Sequence, residues 1–229
     1  MKNTIESCLH CPVGCKSFRY LTSGEMDFVN DNRYEALFRP GEILVKQGSP
    51  SSNALFLFSG LSKTYVENNG SKNMILGIDK PGELILGQGA FTEMRNNFSV
   101  AAITSVKACF IGFDVFRHLI RSNGAFAESL LEEMSMKSQL IQNRMVSLAH
   151  KKMPGRIAEA LLYLSDSIFG SHSFEMILSR QELGDMTNMA KECVVRILRE
   201  MEESGVIKSD SSGIRILDSD KLRMILEKG

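Results

Sequence analysis

The stretch SRQELGDMTNMAKECVVRILREMEESG, Ser179 to Gly205, decides the fold. Ser179 with Glu182 three residues on is a capping box, so SRQELGDMT starts a short helix. NMA, residues 188–190, is a three-residue turn, and KECVVRILREMEESG is a second helix closed by Gly205. Two strand-length runs around SDSSG follow. This is the spacing of a helix-turn-helix with a wing. In the second helix Val194, Ile197, Leu198 and Met201 recur at i, i+3, i+4, i+7 and face a core. Lys191, Glu192, Val195 and Arg196 then share the outer face. Arginine bridges guanine O6 and N7, glutamate accepts from cytosine N4, and valine meets a thymine methyl. The plain alternative is a solvated face with a Glu192–Arg196 pair at i, i+4. Cap, turn and wing together favour DNA reading. Arg180, Lys208 and the basic run Arg144, His150, Lys151, Lys152 are candidate phosphate contacts, which position without specifying.

Upstream, KKMPGRIAEALLYLSDSI is expected to break a long helix at Pro154-Gly155 and begin an amphipathic one, a hinge between sensing and output halves. Ala125 to Lys151 contains no glycine or proline, and Leu130, Met134, Ile141, Met145 and Leu148 form a near-heptad seam interrupted by Lys137. Such a helix is about 40 Å long. Its stripe packs on its own β domain or pairs with a second copy. A seam of this length without caps favours pairing, and these five residues are the expected homodimer interface.

Further upstream, RPGEILVKQG, NALFLFSGLSKTYV, ENNGSKNMILGI and KPGELILG place turn residues at roughly ten-residue spacing, the pattern of an all-β sandwich or barrel. Asn69-Gly70 is a two-residue hairpin signal. SVAAITSVKACFIGF supplies the last long strand pair.

With 27 basic and 27 acidic residues the net charge is zero, which argues against a nonspecific polyanion coat but leaves room for a local basic surface. No run approaches the eighteen or so apolar residues of a membrane span. MKNTIESCLHC lacks the apolar core of a signal peptide. The expectation is a cytoplasmic protein with reduced thiols. CLHCPVGC, residues 8–15, holds three of the five cysteines, and in that compartment it reads as metal ligands or a redox centre instead of a disulfide framework. His10, His118, His150 and His172 stand isolated from any catalytic partner, so no enzyme is expected.

The order of β-roll, long helix and winged helix-turn-helix resembles the catabolite activator/fumarate-nitrate regulator (CRP/FNR) family, and the resemblance covers essentially the whole chain. GRIAEALLYLS and RQELGDMTNMAKECVVRILREMEESGVI carry it. It implies an α+β fold: a cysteine-rich arm (1–20), a cyclic-nucleotide-binding-type β-roll (21–124), a dimerisation helix (125–153) and a winged helix-turn-helix (154–229). It further implies a homodimeric transcriptional regulator acting on double-stranded operator DNA with RNA polymerase as partner. Lys191, Glu192 and Arg196 fall on the family's base-contacting positions. The oxygen-sensing branch holds a [4Fe-4S] cluster with three arm cysteines and one on the roll, here Cys8, Cys11, Cys15 and, in ACFIGF, Cys109. Cyclic AMP is not expected. In LGQGAFTEMRNNFS, Gln88 stands where that branch has a ribose-binding glutamate and Phe98 where it has a phosphate-neutralising arginine; Arg95 lies three residues away. Structural zinc, a thiol redox switch or another effector in the roll remain open for the cysteines, as does His10 replacing one ligand. Cys193 reads as structural. A β-roll module without DNA function is the alternative class.

Overall fold

The computed structural model describes residue 8 and residues 11–68, 72–210 and 213–229. Two compact units emerge, one from residues up to 67 with 77–139, the other from 68–76 with 140–229. Asn69-Gly70 lies outside the described residues.

Among the described residues of the first unit, a 3-10 turn, Ser17–Tyr20, precedes helix α1 (Ser23–Asp31). Helix α1 starts at a capping box in which Thr22 and Glu25 satisfy each other's backbone N–H. Eight strands follow: β1 (Arg33–Phe38), β2 (Ile43–Val45), β3 (Asn53–Ser59), β4 (Ser62–Val66), β5 (Met74–Asp79), β6 (Leu84–Ile85), β7 (Ser99–Ala102) and β8 (Val106–Gly112). They form two four-stranded sheets of order β1-β8-β3-β6 and β2-β7-β4-β5. The last two strands do not pair with each other. β7 joins β2 and β4, whereas β8 lies between β1 and β3. Three residues, Ile103 to Ser105, carry the chain from one sheet to the other, as in sandwiches whose consecutive strands switch layers.

The sheet holding β3 and β8 is buried on both faces. Leu55, Leu57, Val106, Ala108 and Phe110 fill the space between sheets with Val100 and Ala102. The alternate residues Ala54, Phe56, Cys109 and Ile111 face α1 and two further helices, α2 (Phe113–Ser122) and α3 (Gly124–His150). Burial on both faces therefore explains why ALFLF and ACFI are apolar throughout.

Helix α3 has the expected extent, and its stripe divides. Leu130 is buried in the core of the first unit. Met134, beside Leu84, Leu86, Glu133 and Lys137, lines a cavity of about 50 Å³. Lys137 interrupts the stripe because its ammonium donates to the Leu84 carbonyl at 2.7 Å. Ile141 and Leu148 are half-buried, while Met145 is 65% exposed.

The helix ends at His150, ahead of Pro154. A new helix, α4 (Met153–Leu162), starts after Lys152, and Pro154 occupies its first turn, where a missing N–H costs nothing. Gly155 is needed for packing: a Cβ there would meet the Gly229 Cα at 2.9 Å. A π-helical segment (Tyr163–Phe169) continues α4. Then come β9 (Ser173–Phe174), α5 (Arg180–Thr187), α6 (Lys191–Glu203), β10 (Ile207–Asp210), β11 (Gly213–Ile216) and α7 (Ser219–Lys228). The small sheet has order β10-β11-β9.

One buried carboxylate stands out in the roll. Asp79 accepts from the Ser62 and Thr64 hydroxyls at 3.0 and 2.8 Å. Burial pushes its carboxyl up to about 6, against the pull of Lys137. An unfolded aspartate titrates near pH 4. Between those values the folded state keeps a proton that the unfolded chain has lost, so stability falls as pH rises through that window. Asp79→Asn keeps an acceptor and cannot ionise. Urea unfolding from pH 4 to 7.5 is expected to show the variant gaining on the wild type by roughly 3 kcal/mol across the window; parallel curves would refute the buried-acid assignment.

Candidate DNA-reading surface and thiol site

The reading helix is placed by local chemistry. The Ser179 hydroxyl accepts from the Glu182 N–H at 3.2 Å, and Glu182 accepts from the Ser179 N–H at 2.8 Å, which starts α5. Asn188 takes a left-handed conformation, φ 54°, and its N–H returns to the Gly184 carbonyl, which ends α5. Gly184 admits the turn, since a Cβ there would stand 2.6 Å from the Met189 carbonyl oxygen. Val194, Ile197, Leu198 and Met201 are buried as their spacing predicts. Lys191, Glu192 and Arg196 are exposed, and Val195 is 46% exposed. Arg196 pairs with Glu200 at 2.6 Å, one turn onward instead of back to Glu192. Both partners are exposed, so the pair is worth about 1 kcal/mol or less and does not tie the guanidinium down.

Arg180, at the start of α5, donates through Nη2 to the Ser209 hydroxyl on β10 at 3.0 Å. Its Nη1 is buried without a protein partner. The guanidinium thus sits between helix and wing with donor capacity to spare, which suits an anion. Lys208 lies 4.0 Å from Asp210. Lys151 pairs with Glu159 at 3.1 Å. His150 and Lys152 are exposed. Arg144 differs from expectation. It is turned inward, with its guanidinium over the Tyr163 ring at 5.9 Å and donating to the Leu76 carbonyl. Cation–π attraction within the protein takes it out of the phosphate-contact set.

In the first unit the arm and β8 bring four thiols to one apolar cluster. Cys15 and Cys109 are buried in it, and Cys8 and Cys11 pack against it partly buried. Burial pushes Cys15 up to about 12, reinforced by Glu133. Burial likewise pushes Cys109 up to about 11, and raises Cys8, with the Arg33 guanidinium opposing it at both. Asn30 Oδ1 links Arg33 to Cys8, accepting from the Cys8 N–H at 2.8 Å and from Arg33 Nε at 3.4 Å. Four thiols, three from a Cys-x2-Cys-x3-Cys arm and one from a strand, have the donor chemistry of iron–sulfur ligation. They are gathered, not arranged: among the described residues no three His, Cys, Asp or Glu side chains stand together as a ready-made metal site. His10 lies outside the described residues, and Cys193 is half-buried on α6.

Sequence reading missed the polar groups around these thiols. Glu35 faces Cys109 across the β1–β8 pair. It accepts from Arg33 at 2.7 Å and Lys107 at 2.8 Å, with side-chain exposures of 15%, 9% and 12% for Glu35, Arg33 and Lys107. The alternation Arg33, Glu35 on one strand and Lys107, Cys109 on the other was the available signal. Without a known pairing register it carried no information. Ser17, two residues after Cys15, donates to Glu133 on α3 at 2.5 Å and accepts from Ser129 at 3.3 Å.

The loop after β6 is filled by its own chain. Arg95 donates to the Gly48 carbonyl at 2.7 Å, Met94 has φ 56°, and Phe98 packs against the inter-sheet core. The side chain of Gln88 lies outside the described residues.

Residues 35–123 match the cyclic nucleotide-binding domain and residues 155–225 the Crp-like helix-turn-helix domain. The transcriptional activator protein anr of Pseudomonas aeruginosa is 29% identical over 188 residues, 80% of this chain and 77% of that protein. The cAMP-activated global transcriptional regulator CRP of Salmonella typhimurium is 27% identical over 175 residues, 75% of this chain and 83% of that protein. Among solved structures, FixK2 from Bradyrhizobium japonicum shares the fold with a TM-score of 0.77 at 17% identity, covering 84% of this chain and 96% of its own. No helix among the described residues is long and apolar enough to cross a membrane. A roll of the nucleotide-binding type, a long helix and a capped helix-turn-helix with its wing, matched along both halves, make this chain a member of the CRP/FNR family of DNA-binding transcriptional regulators.

Proposed function

We propose that the protein is a cytoplasmic, homodimeric regulator whose operator binding is controlled by an oxygen- or nitric-oxide-sensitive [4Fe-4S] cluster held by Cys8, Cys11, Cys15 and Cys109. The observation that carries this reading is the convergence of the three arm thiols and Cys109 on one buried cluster. When bound, such a cluster supplies a gas-labile bridge between arm and strand. The chain's own residues link that bridge to the long helix. Phe18 of the arm lies against Phe116 and Phe126, and Ser17 is hydrogen-bonded to Glu133 on α3. How the arm is seated therefore biases the helix carrying Leu130, Met134, Ile141, Met145 and Leu148, the seam along which a second copy pairs. Pairing sets two α6 helices about 34 Å apart, one DNA turn.

In the output half, Lys191, Glu192, Val195 and Arg196 read base edges and Arg180, at the start of α5, contacts a phosphate. RNA polymerase is the downstream partner, as the family implies. Cyclic AMP is not the effector in this reading, because Phe98 stands where a phosphate-neutralising arginine is wanted and Arg95, three residues away, donates to the Gly48 carbonyl.

Protein purified without air is expected to carry about four irons and four acid-labile sulfides per chain. Cys11→Ser is expected to lose them together with the oxygen dependence of operator binding in a gel shift. Iron-free protein that binds its operator identically with and without air, or zinc in place of iron, overturns the sensing reading. On the DNA side, Arg196→Ala is expected to weaken the preferred operator by about 5- to 150-fold, roughly 1–3 kcal/mol, and to relax sequence preference. Arg180→Ala is expected to weaken all sequences alike and lower the salt slope by about one. An unchanged slope removes Arg180 from the phosphate set.

A further inference from the structure

The reading helix starts without a cap of its own. α5 begins at the Ser179–Glu182 box, whereas Ala190, at the N-cap of α6, offers no side-chain hydrogen bond. The turn between them is held instead by cations from other parts of the second unit. Arg156 of α4 reaches the Thr187 carbonyl at 3.5 Å. Lys72 donates through its ammonium to the Met189 carbonyl at 2.9 Å, from 117 positions away. Lys72 lies in the loop between β4 and β5, where residues 68–76 belong to the same compact unit as 140–229. That segment is gripped a second time at Leu76, whose carbonyl accepts from Arg144 on α3, and the Arg144 guanidinium lies over the Tyr163 ring. The Met189 carbonyl is confined on its other contacts too. Its oxygen stands so near α5 that a Cβ at Gly184 would come within 2.6 Å, and the Met189 side chain is buried.

We propose that Lys72 is a positioning residue for DNA reading: its ammonium braces the Met189 carbonyl and so fixes the turn that aims α6. The inference rests on base reading by α6 and is independent of the thiol site. Lysine suits the task, since it offers three donors and a charge-assisted bond to a single carbonyl. The brace acts through angle. A base edge is recognised only when donor and acceptor meet in line at about 2.7–3.2 Å. A small swing of α6 about an unbraced turn carries Arg196, more than one helical turn from Ala190, out of that range. Phosphate contacts carry no sequence information, and their Coulomb attraction declines gently with distance, so they tolerate the same swing. Loss of the brace therefore penalises the operator selectively and leaves general affinity for DNA in place.

Full-length wild type, Lys72→Met and Lys72→Arg, all purified without air, would be titrated with two duplexes over a range of salt. One duplex is selected from genomic fragments by the wild type, and the other is a random sequence of the same length. Lys72→Met keeps the apolar stem and loses the donor. It is expected to bind the selected duplex about five- to tenfold more weakly and the random duplex within about twofold of wild type, with the salt slope unchanged. Lys72→Arg restores a charged donor and is expected to recover most of the affinity, a rescue that a role in packing alone does not produce. Equal binding by wild type and the Met variant overturns the brace. Weakening of both duplexes alike, with the slope lowered by about one, makes Lys72 a phosphate contact and overturns it as well. Tighter binding by the Met variant means that the loop obstructs DNA, which also overturns it. Arg196→Ala on the same duplexes separates this inference from the reading it rests on. If that variant too binds as the wild type does, base reading by α6 fails and the brace with it.

Discussion

The packing of three phenylalanines organises the first unit. Phe18 from the arm, Phe116 from α2 and Phe126 from α3 lie with ring centroids 6.0–6.3 Å apart and planes tilted by 38–43°. Tilted aromatic pairs of this kind contribute about 0.5–1.5 kcal/mol each beyond the area they bury. The larger consequence is geometric. Three segments remote in sequence are held to one face of one sheet, within the same buried cluster. Cys15 and Cys109 both belong to that cluster, as do Val29 of α1 and Leu130 of α3. The arm is short and polar by composition, and Phe18 is what gives it a seat.

That seat explains why polar groups tolerate burial beside it. Ser17 and Ser129 are buried yet hydrogen-bonded in a chain that ends on Glu133. Glu35 is shielded but satisfied by two cations. Groups of this kind, paired and held off water, are worth more as orienting devices than as sources of stability. They sit around the thiols and the base of the long helix, where orientation matters to the proposed sensing. The reading half is built differently. Its elements are started and stopped by neighbours in sequence: Ser179 with Glu182, Asn188 with Gly184, and Asp218, whose side chain accepts from the Lys221 N–H. Its core residues follow one helical period.

That difference decides how much was legible beforehand. Capping boxes, turns and i, i+3, i+4 spacing act within a few residues, so α5, the turn and α6 could be bounded from the letters alone, and the buried set on α6 with them. The long α3 was equally plain, since nothing in Ala125 to Lys151 interrupts a helix. The β-roll showed its turns and its apolar runs; the three arm thiols stood out because cysteine is sparse, whereas Cys109 was joined to them only through the family resemblance. Which glutamate pairs with Arg196 was not legible, since Glu192 and Glu200 are both four residues away and only the rotamer chooses.

Tertiary structure decided the rest. Which strands pair is a long-range matter: β7 and β8 are adjacent in sequence yet enter different sheets, and register determines that Glu35 faces Cys109. The inward turn of Arg144 required Tyr163, nineteen positions on, and the place of Gly155 in the packing required the chain's last residue. The sequence by itself determined the elements whose hydrogen bonds close within a turn or two. Contacts between distant segments depend on sheet register and side-chain packing, which local propensity does not encode.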